Sequence, residues 1–354
     1  MKIFFLAAYL GAGGAERVVS LLANKMSQIG HDIGVVCLKY NDVFYQIEQN
    51  VQLVFPMDHC NNRLSELFWL RKFLKSQKPD VVIPFTEGVY CFTILSLLGT
   101  GIPIIASERL DPAAMSPTRK VLKKLLLPYV DWLVVQTQSI KEYFPKSIQK
   151  KTSVIYNPVN DDVFEEERGE WREVGKFNRI ISVGRLYPQK NQEMMIRAFA
   201  KVADEFPDWQ LVIYGEGPLR AELEFQVSSF KLEGRVLLPG RTEHVIEELR
   251  RSKFFCLSSD YEGMSNAMIE ALCVGLPIIS TKVSGTEELI KDGENGFLVE
   301  IGEEKGFTNS LLRLLSSKEL REEMSKRNQQ LSDLFHTEAI MKQWIQLIYT
   351  IIKR

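Results

Sequence analysis

Two glutamates lie eight positions apart in one short segment of the chain, at Glu262 and Glu270. The residues from Lys253 onward predict a buried strand, and the apolar spacing after Gly263 predicts a helix. A helix start exposes N–H groups that attract phosphate, and a carboxylate farther along can accept hydrogen bonds from the vicinal hydroxyls of a ribose. The pair suits a nucleotide diphosphate-sugar; the structural alternative is a helix-terminal charge and a surface residue.

Two basic residues, Arg185 and Lys190, follow a strand predicted at 179–184. They therefore lie at the carboxyl end of a strand, where open α/β sheets bind ligands. Arginine offers a planar fork and lysine a point charge, so together they can neutralise a diphosphate.

A glycine-rich loop, Gly11-Ala12-Gly13-Gly14, follows the first predicted strand. It fails the dinucleotide-binding fingerprint, because the third glycine of that motif would fall where this chain has Glu16. Two interpretations stay open: a backbone that approaches a diphosphate or an acceptor, and a purely structural turn.

Several short motifs follow one another along the chain, and their order and spacing together resemble those of one protein family. They are Gly13-Gly14-Ala15-Glu16-Arg17, Val183-Gly184-Arg185 with Lys190-Asn191, Gly215-Glu216-Gly217-Pro218, Glu262-Gly263 through Glu270 with Gly275-Leu276-Pro277, Gly285-Thr286-Glu287-Glu288, and Asp292 with Asn295-Gly296. The chain resembles the retaining, nucleotide-sugar-dependent glycosyltransferases of family four, which have the two-domain B-type fold (GT-B). The resemblance covers nearly the whole chain and is most specific in its carboxyl-terminal half.

The resemblance implies a role for each matching residue. Arg185 and Lys190 would bind the donor diphosphate, Glu270 the ribose hydroxyls, and Glu262 would lie near the donor sugar, so that Glu262, Arg185 and Lys190 form the catalytic set. The donor-binding residues expected are Gly14, Gly184, Arg185, Lys190, Arg241, Glu262, Met264, Ser265, Asn266 and Glu270, with a structural role for Glu216 and Arg220. The acceptor-binding residues expected are Gly13, Glu16, Arg17, Glu108 and Arg109.

The implied reaction is front-face substitution with retention of configuration. The departing phosphate oxygen takes the proton of the acceptor hydroxyl, while cationic side chains stabilise the leaving diphosphate. No metal and no cofactor other than the nucleotide diphosphate-sugar co-substrate is expected.

One departure from many relatives lies in the first domain, where a histidine often follows Ser-Glu. Here Ser107-Glu108 is followed by Arg109. Arg109 suits an anionic part of the acceptor, such as a lipid-linked pyrophosphate; the alternative is a solvated loop charge.

Composition agrees with a soluble enzyme. The chain has 354 residues, 45% hydrophobic content and a net charge of −1, so it can fill two cores, and nucleic acid is not an expected partner. The cysteines and histidines show no metal-binding spacing, and the cysteines are predicted to be reduced, most of them in the core. The apolar start, residues 1–10, leads directly into a loop and helix, which favours a first strand over a signal peptide.

Strand and helix patterns alternate along the chain, which predicts parallel sheets with right-handed crossovers. Strands are predicted at 2–9, 33–38, 81–85, 103–107, 132–135, 179–184, 210–214, 235–238, 253–257, 277–280 and 297–299. An acidic stretch, 160–173, is the predicted linker, and a last helix is predicted near 337–352.

The predicted fold class is therefore α/β, with two Rossmann-like doubly wound domains facing a cleft and a C-terminal helix crossing back to the N-terminal domain. The acceptor-binding domain is expected at 1–162 plus 338–354, and the donor-binding domain at 163–337. The expected function is transfer of a hexose or N-acetylhexosamine, from a UDP-sugar in first place, to a saccharide or lipid-linked saccharide in bacterial glycan assembly. A nucleotide-sugar 2-epimerase and a non-catalytic, transferase-like binding subunit remain as alternatives.

Two basic amphipathic stretches, near 63–75 and 119–127, suit docking on anionic lipid. The alternative is that both are surface helices with their apolar faces in the core. Together with the resemblance, they predict a cytoplasmic enzyme that is peripheral on the inner face of the membrane and has a polyprenyl-diphosphate-linked or other saccharide acceptor.

Overall fold

The computed structural model describes residues 1–11, 13–40, 43–111, 115–164 and 178–353. The chain divides into two compact units. The first unit comprises Met1–Pro158 and Thr337–Arg354, and the second comprises Val159–His336. Of the predicted linker, residues 165–173 lie outside the described residues, and Asp161–Phe164 form a short 3-10 helix of the second unit.

The first unit is built on parallel strands. They are β1 (Lys2–Ala7), β2 (Asp32–Cys37), β3 (Gln52–Val54), β4 (Val81–Pro84), β5 (Ile105–Ser107), β6 (Trp132–Val135) and β7 (Thr152–Val154). They pair in the orders β3-β2-β1-β4 and β5-β6-β7, and parallel bridges from Val82 to Ile104 and from Phe85 to Ser107 join β4 to β5. The result is the strand order of a doubly wound sheet.

Helices cover both faces of this sheet. They are α1 (Gly14–Gln28), α2 (Arg63–Gln77), α3 (Glu87–Leu97), α4 (Pro117–Leu126), α5 (Gln138–Tyr143) and α6 (Lys146–Gln149). Alternate residues of β1 enter different cores: Phe5 packs in the cluster that contains α1, and Phe4 in the cluster that contains α2 and α3. A strand buried on both faces explains why β1 reads as a continuous apolar run.

The second unit repeats this plan. Its strands are β8 (Asn178–Val183), β9 (Trp209–Tyr214), β10 (Val236–Gly240), β11 (Phe254–Leu257), β12 (Ile278–Thr281) and β13 (Gly296–Val299). All pair in parallel, in the order β10-β9-β8-β11-β12-β13. Its helices are α7 (Gln192–Ala200), α8 (Arg220–Ser229), α9 (Val245–Arg250), α10 (Asn266–Cys273), α11 (Thr286–Leu289), α12 (Glu304–Ser316) and α13 (Lys318–Leu331).

The last helix, α14 (Thr337–Ile352), belongs to the first unit, as predicted. Its apolar face, which includes Ile340, Trp344 and Ile348, is buried in the same cluster as β1 and α1. Among the helices of the described residues, none is both long and apolar enough to span a bilayer.

The predicted strands are all present, with ends that differ by one or two residues, but two strands were missed. Both β3 and β7 are three residues long and lie at an outer edge of their sheets. Three residues show too little alternation to be distinguished from a loop, and pairing with a longer neighbour makes them strands.

Candidate functional site

The motif residues of the second unit gather at one edge of its sheet. Gly184 and Arg185 follow β8, residues 215–217 follow β9, Arg241 follows β10, and residues 258–262 follow β11. Because the strands are parallel, all of these loops leave the sheet at its carboxyl edge, where α/β proteins bind ligands.

The loops after β8 and β9 touch through their backbones. A Cβ placed on Gly215, whose φ is +150°, would lie 1.9 Å from the carbonyl oxygen of Gly184. Leu186 N donates to Glu216 O at 3.0 Å. Only glycine fits at position 215, which explains the first glycine of the Gly-Glu-Gly-Pro motif. Arg220 Nη1 donates to Glu216 Oε1 at 2.8 Å, and Arg220 Nη2 donates to Leu238 O at 2.6 Å. These contacts agree with the structural role predicted for Arg220.

Lys190 and Glu262 form an ion pair between Lys190 Nζ and Glu262 Oε1. The side chains are 14% and 11% exposed, so the pair is partly shielded and still reachable from solvent. Ser259 Oγ, which is fully buried, donates to the same carboxylate oxygen at 2.7 Å. Two members of the predicted catalytic set, Lys190 and Glu262, are therefore in direct contact.

The two loops that carry this pair are joined by further hydrogen bonds. Ser258 Oγ donates to Lys190 O at 2.8 Å, and Asp260 N donates to Gln189 O at 2.9 Å. Asn191 Nδ2 donates to Asp260 Oδ1 at 2.9 Å. We call residues 189–191 and 258–262 the loop pair. Its members follow the adjacent strands β8 and β11, which is why they can reach each other.

Arg185, the other predicted diphosphate ligand, is exposed. Its guanidinium lies over the Tyr187 ring, 5.1 Å from the centroid, and its carbonyl accepts from Gln192 Nε2 at 3.0 Å. Stacking restricts the guanidinium while its charge stays in water, a geometry suited to an incoming anion.

Helix α10 begins at Asn266, later than the sequence suggested. Ser265 has an extended backbone and caps the helix, its Oγ accepting from Met268 N at 3.4 Å. Glu270 therefore lies one turn into the helix, and it is only 2% exposed, so the alternative of a surface residue is wrong. Met264 and Ser265 are also buried, whereas Arg241 is exposed.

In the first unit, the glycine-rich loop leads into α1. Gly13 is the N-cap residue and Gly14 is the first residue of the helix. A Cβ on Gly13 would lie 2.1 Å from Glu16 Oε2, so the Glu16 side chain folds back over the turn. Glu16 and Arg17 are half-buried there.

Glu108 is completely buried just after β5. Its carboxylate accepts from Tyr90 Oη at 2.8 Å, from Lys123 Nζ, and from the backbone N–H groups of Arg109 and Leu110 at 3.2 and 3.4 Å. These donors come from α3, from α4 and from its own turn, so the carboxylate holds the turn in place.

Arg109 is 6% exposed, so the alternative of a solvated loop charge is wrong. Its Nε donates to Ser107 Oγ at 2.7 Å, its Nη1 to Asn157 Oδ1 at 2.5 Å, and its guanidinium lies 4.6 Å from the Phe85 ring centroid. Nη2 is buried and has no hydrogen-bond partner among the residues that the structure describes. Burial lowers the pKa of Arg109 to about 9, an effect that the charge of Glu108 opposes. At pH 7 the guanidinium is therefore still charged.

The basic amphipathic stretches form α2 and α4, and α4 is oriented unexpectedly. Lys123 is buried against Glu108, while Val121 and Leu125 are exposed together with Lys124. The alternative that places the apolar face in the core is therefore wrong for Val121 and Leu125, and Lys123 is not one of the exposed cations. Docking on anionic lipid stays a prediction for the exposed residues of α4. Two buried carboxylates beneath the helix, Glu87 and Glu108, bind its cations and turn the apolar residues outward.

The sequence interpretation assigned no role to several residues that position the site, although it quoted Asn191 in a family motif. Asn191, Ser259 and Asp260 support the Lys190–Glu262 pair, and Lys123 and Asn157 support the turn at 108–110. The only available signal was Asn191, an N-cap residue type directly before an apolar helical pattern.

In the described part of the chain, no group of three or more His, Cys, Asp or Glu residues could hold a metal ion. Cys37, Cys91, Cys256 and Cys273 are buried thiols outside any disulfide, and Cys60 is half-buried. Burial raises the pKa of both Cys37 and Cys91 to about 12, so neither is a thiolate at neutral pH.

Comparison with protein families gives one match for each half of the chain. Residues 12–163 match the model described as Glycosyltransferase Family 4, and residues 163–331 match Glycosyl transferases group 1.

Among curated proteins, the chain is similar to an enzyme of Campylobacter jejuni named GalNAc-α-(1→4)-GalNAc-α-(1→3)-diNAcBac-PP-undecaprenol α-1,4-N-acetyl-D-galactosaminyltransferase. The two are 31% identical over 98% of each chain. The amylovoran biosynthesis glycosyltransferase AmsD of Erwinia amylovora is 26% identical over 95% of this chain and 96% of its own. Neither name favours an epimerase or a non-catalytic subunit.

Among solved structures, Anabaena HepE in complex with UDP and glucose superposes with a TM-score of 0.85 at 20% identity, covering 99% of each chain. The sucrose-phosphate synthase of Thermosynechococcus elongatus gives the same TM-score at 18% identity, also covering 99% of each chain. These similarities establish the B-type fold, with two α/β units that are each built on parallel strands.

Proposed function

The chain belongs to the family 4 glycosyltransferases, and on that premise we propose that it transfers a hexose or N-acetylhexosamine from a UDP-sugar to a lipid-linked saccharide in bacterial glycan assembly. The observation that carries this proposal is the Lys190–Glu262 pair, with the exposed Arg185 on the same loop as Lys190, at the carboxyl edge of the second sheet. The names of the relatives, which act on undecaprenol-diphosphate-linked saccharides or build a polysaccharide, support the acceptor class.

The donor occupies the second unit in this proposal. Arg185 and Lys190 bind the diphosphate, and Glu270 accepts hydrogen bonds from the ribose hydroxyls. The backbone amides at 264–266 contact sugar and phosphate, next to the start of α10, where a helix favours negative charge. The exposed Arg241 loop meets the base, and Gly184 and Gly14 allow the backbone to approach. Uracil is the base proposed because a similar structure holds UDP.

The reaction proceeds on the front face of the donor sugar, with retention of configuration. As the bond to the sugar breaks, negative charge grows on the diphosphate, and Lys190 and Arg185 stabilise it. The departing phosphate oxygen takes the proton of the acceptor hydroxyl. Glu262, oriented by Ser259, steadies the positive charge that develops at the anomeric carbon. These cations supply the electrostatic stabilisation, so no divalent ion is needed.

The acceptor occupies the first unit, with Arg109 facing its anionic group. The buried charges around it are the cations Arg109 and Lys123 and the carboxylates Glu108 and Glu87; the half-exposed Arg119 pairs with Glu87. Within the described ranges, no carboxylate is hydrogen-bonded to the Arg109 guanidinium, and its Nη2 has no partner. An uncompensated buried charge is costly, and a pyrophosphate linked to a lipid would compensate it.

The remaining predicted acceptor residues fall into two groups. Gly13, Glu16 and Arg17 lie at the start of α1, where backbone and side chains can meet a saccharide. Glu108 acts through the turn that it holds, because its carboxylate already accepts from four donors.

The α4 outer face, which we define as Val121, Lys124 and Leu125, supports membrane docking of this first unit. Two apolar side chains and a lysine are exposed on one helix face. Apolar burial and attraction to anionic lipid add together in such helices. The exposed Leu64 and Phe68 of α2 have lysines nearby in the sequence, Lys72 and Lys75. We propose a peripheral enzyme on the cytoplasmic face of the membrane.

A thermal-shift titration of the purified protein with UDP-, GDP- and ADP-sugars tests the donor. A ligand at 100 times its dissociation constant stabilises the folded state by about 2.7 kcal/mol. We expect UDP-sugars alone to raise the melting temperature, equally with and without a chelator. A shift with GDP- or ADP-sugars instead would replace the donor base, and a shift abolished by the chelator would refute metal independence.

A further inference from the structure

We propose that Asn191 and Asp260 are positioning residues, which together set where the Lys190 ammonium stands relative to Glu262 and hence to the donor diphosphate. The proposal rests on the donor site proposed above, and it adds the hydrogen bond between Asn191 Nδ2 and Asp260 Oδ1 as a determinant of the rate.

Asn191 controls the direction of the chain directly after Lys190. Lys190 ends a 3-10 helix, Pro188–Lys190, and Asn191 adopts a left-handed conformation, with φ +45°, before α7 begins. Its Oδ1 accepts from Met194 N at 3.4 Å, while its Nδ2 donates to Asp260. One side chain therefore joins the start of α7 to the neighbouring loop, and Lys190 lies immediately beside that junction.

Asp260 does the same on the opposite loop, two residues before Glu262. Its N–H donates to Gln189 O, and its carboxylate accepts from Asn191. The Lys190–Glu262 ion pair and the Asn191–Asp260 hydrogen bond thus both connect the two segments of the loop pair, and their residues are one or two positions apart on each segment. Because the intervening backbone is short, a shift of the hydrogen bond also shifts the ion pair.

A position error at a charged group costs rate more than it costs binding. A displacement of about 1 Å can reduce a rate about 100-fold, since charge stabilisation in the transition state depends on fixed geometry. The Asn191–Asp260 contact is a charge-assisted hydrogen bond, which is shorter and stronger than a neutral one. Its loss leaves Lys190 attached to a loop with fewer constraints.

A purely structural role would also lower stability, so the variants are chosen to keep the local fold. Asn191→Asp retains a side chain that can cap α7 and that tolerates the left-handed conformation, but it places a carboxylate opposite Asp260. Asp260→Asn keeps an acceptor for Asn191 Nδ2, whereas Asp260→Ala removes it. We expect Asn191→Asp and Asp260→Ala to lower kcat ~10- to 100-fold with little change in KM for the UDP-sugar. Asp260→Asn should stay within about threefold of wild type.

The double variant Asn191→Asp/Asp260→Asn exchanges donor and acceptor and restores the hydrogen bond with its direction reversed. It should recover most of the lost rate. In a Lys190→Ala background, Asn191→Asp should cost no further activity, because the residue acts through Lys190. Failure of the exchange to recover the rate, or a full additional loss in the Lys190→Ala background, would overturn the proposal.

A readout that does not need turnover separates this proposal from the donor assignment. Acetylation of Lys190 by acetic anhydride, followed by mass spectrometry, should be several-fold faster in Asn191→Asp and Asp260→Ala than in wild type, and unchanged in Asp260→Asn. If wild type uses no UDP-sugar but the acetylation rates follow this order, the donor assignment fails and the positioning role stands. Equal acetylation in all variants would refute the positioning role even if wild type turns over.

Discussion

The carboxyl edges of the two sheets carry charged residues in opposite ways. In the second unit, Arg185 is exposed, and the side chains of Lys190 and Glu262 keep 14% and 11% of their surface exposed. In the first unit, Glu108 and Arg109 are buried in a network that includes Lys123 from α4. Two sheets of similar topology therefore differ at their carboxyl edges: the second keeps charged side chains in contact with solvent, and the first buries them.

This difference predicts different consequences of mutation. Removing one member of a buried ion pair leaves an uncompensated charge and costs about 3–5 kcal/mol of stability, whereas a more exposed pair contributes little. We call the carboxyl edges of the sheets in the first and second units the first edge and the second edge. We expect substitutions at the first edge to affect mainly folding, and those at the second edge to affect mainly catalysis.

The largest effect on stability is expected from Lys123→Met. It leaves Glu108 buried without its cation, although Tyr90 and two backbone N–H groups still donate to it. We expect the free energy of unfolding to fall by about 3 kcal/mol, measured by urea denaturation. Lys124→Met, on the exposed side of the same helix, is the matched control and should change it by less than about 0.5 kcal/mol. Equal effects of the two variants would break the comparison.

The largest effect on catalysis is expected from Lys190→Ala. It removes a cation that stabilises the leaving diphosphate, so kcat/KM should fall about 100- to 1,000-fold. The unfolding free energy should fall by less than in Lys123→Met, because the Glu262 carboxylate keeps some contact with solvent after its cation is removed. Lys201→Ala, which breaks the exposed Lys201–Glu304 pair, is the control and should retain full activity. A large loss of stability with unaltered kinetics would contradict the donor assignment.

Glu270→Gln should weaken UDP binding about 10- to 100-fold, because the neutral amide accepts more weakly from the ribose hydroxyls than a carboxylate does. Isothermal titration calorimetry measures this directly. Glu222→Gln, on the exposed face of α8, serves as the control. Unchanged affinity in Glu270→Gln would remove the ribose contact from the proposal.

Arg109→Met tests whether the first edge also has a binding role. We expect KM for a pyrophosphate-linked acceptor to rise about tenfold, since a charge-assisted hydrogen bond is lost. An acceptor glycoside without pyrophosphate should show no change. Stability should also fall, by about 1–3 kcal/mol, because the buried Ser107 and Asn157 side chains each lose a hydrogen-bond donor. Equal changes for both acceptors would refute recognition of the pyrophosphate.

The smallest effect concerns the α4 outer face. Lys124→Glu combined with Leu125→Ser should weaken binding to vesicles containing anionic lipid about tenfold, measured by co-sedimentation. Lys318→Glu, at an exposed position of α13, controls for net charge. Undiminished binding of the α4 variant would withdraw membrane docking through this helix.

The sequence predicted the second edge better than the first. The motifs of the second edge have fixed spacing and contain Arg185, Lys190, Glu262 and Glu270. Lys190 and Glu262 meet because each lies a few residues after one of the adjacent strands β8 and β11. The buried network of the first edge joins residues from β5, α3 and α4, whose contacts depend on how helices pack. No local pattern encodes such contacts.

Helix α4 shows why periodicity alone gave the wrong result. Its pattern of Lys123 among apolar neighbours predicts a cation outside and leucines inside. The buried carboxylates of Glu87 and Glu108 reverse this, because they pair with Arg119 and Lys123, and a paired lysine inside is less costly than an unpaired buried carboxylate. Burial of Glu270 was likewise invisible, since a glutamate in an apolar helix has no sequence feature that separates it from an exposed one.

The packing of α14 into the first unit has a consequence for the order of events during synthesis. The second unit, Val159–His336, is continuous in sequence, whereas the first unit requires residues that follow all of it. Because domains fold as units while the chain emerges, the second unit can finish first. Until Trp344 and its neighbours have left the ribosome, the sheet face that α14 shares with α1 lacks part of its cover, so we expect the amino-terminal half to depend on chaperones for longer than its position in the chain suggests.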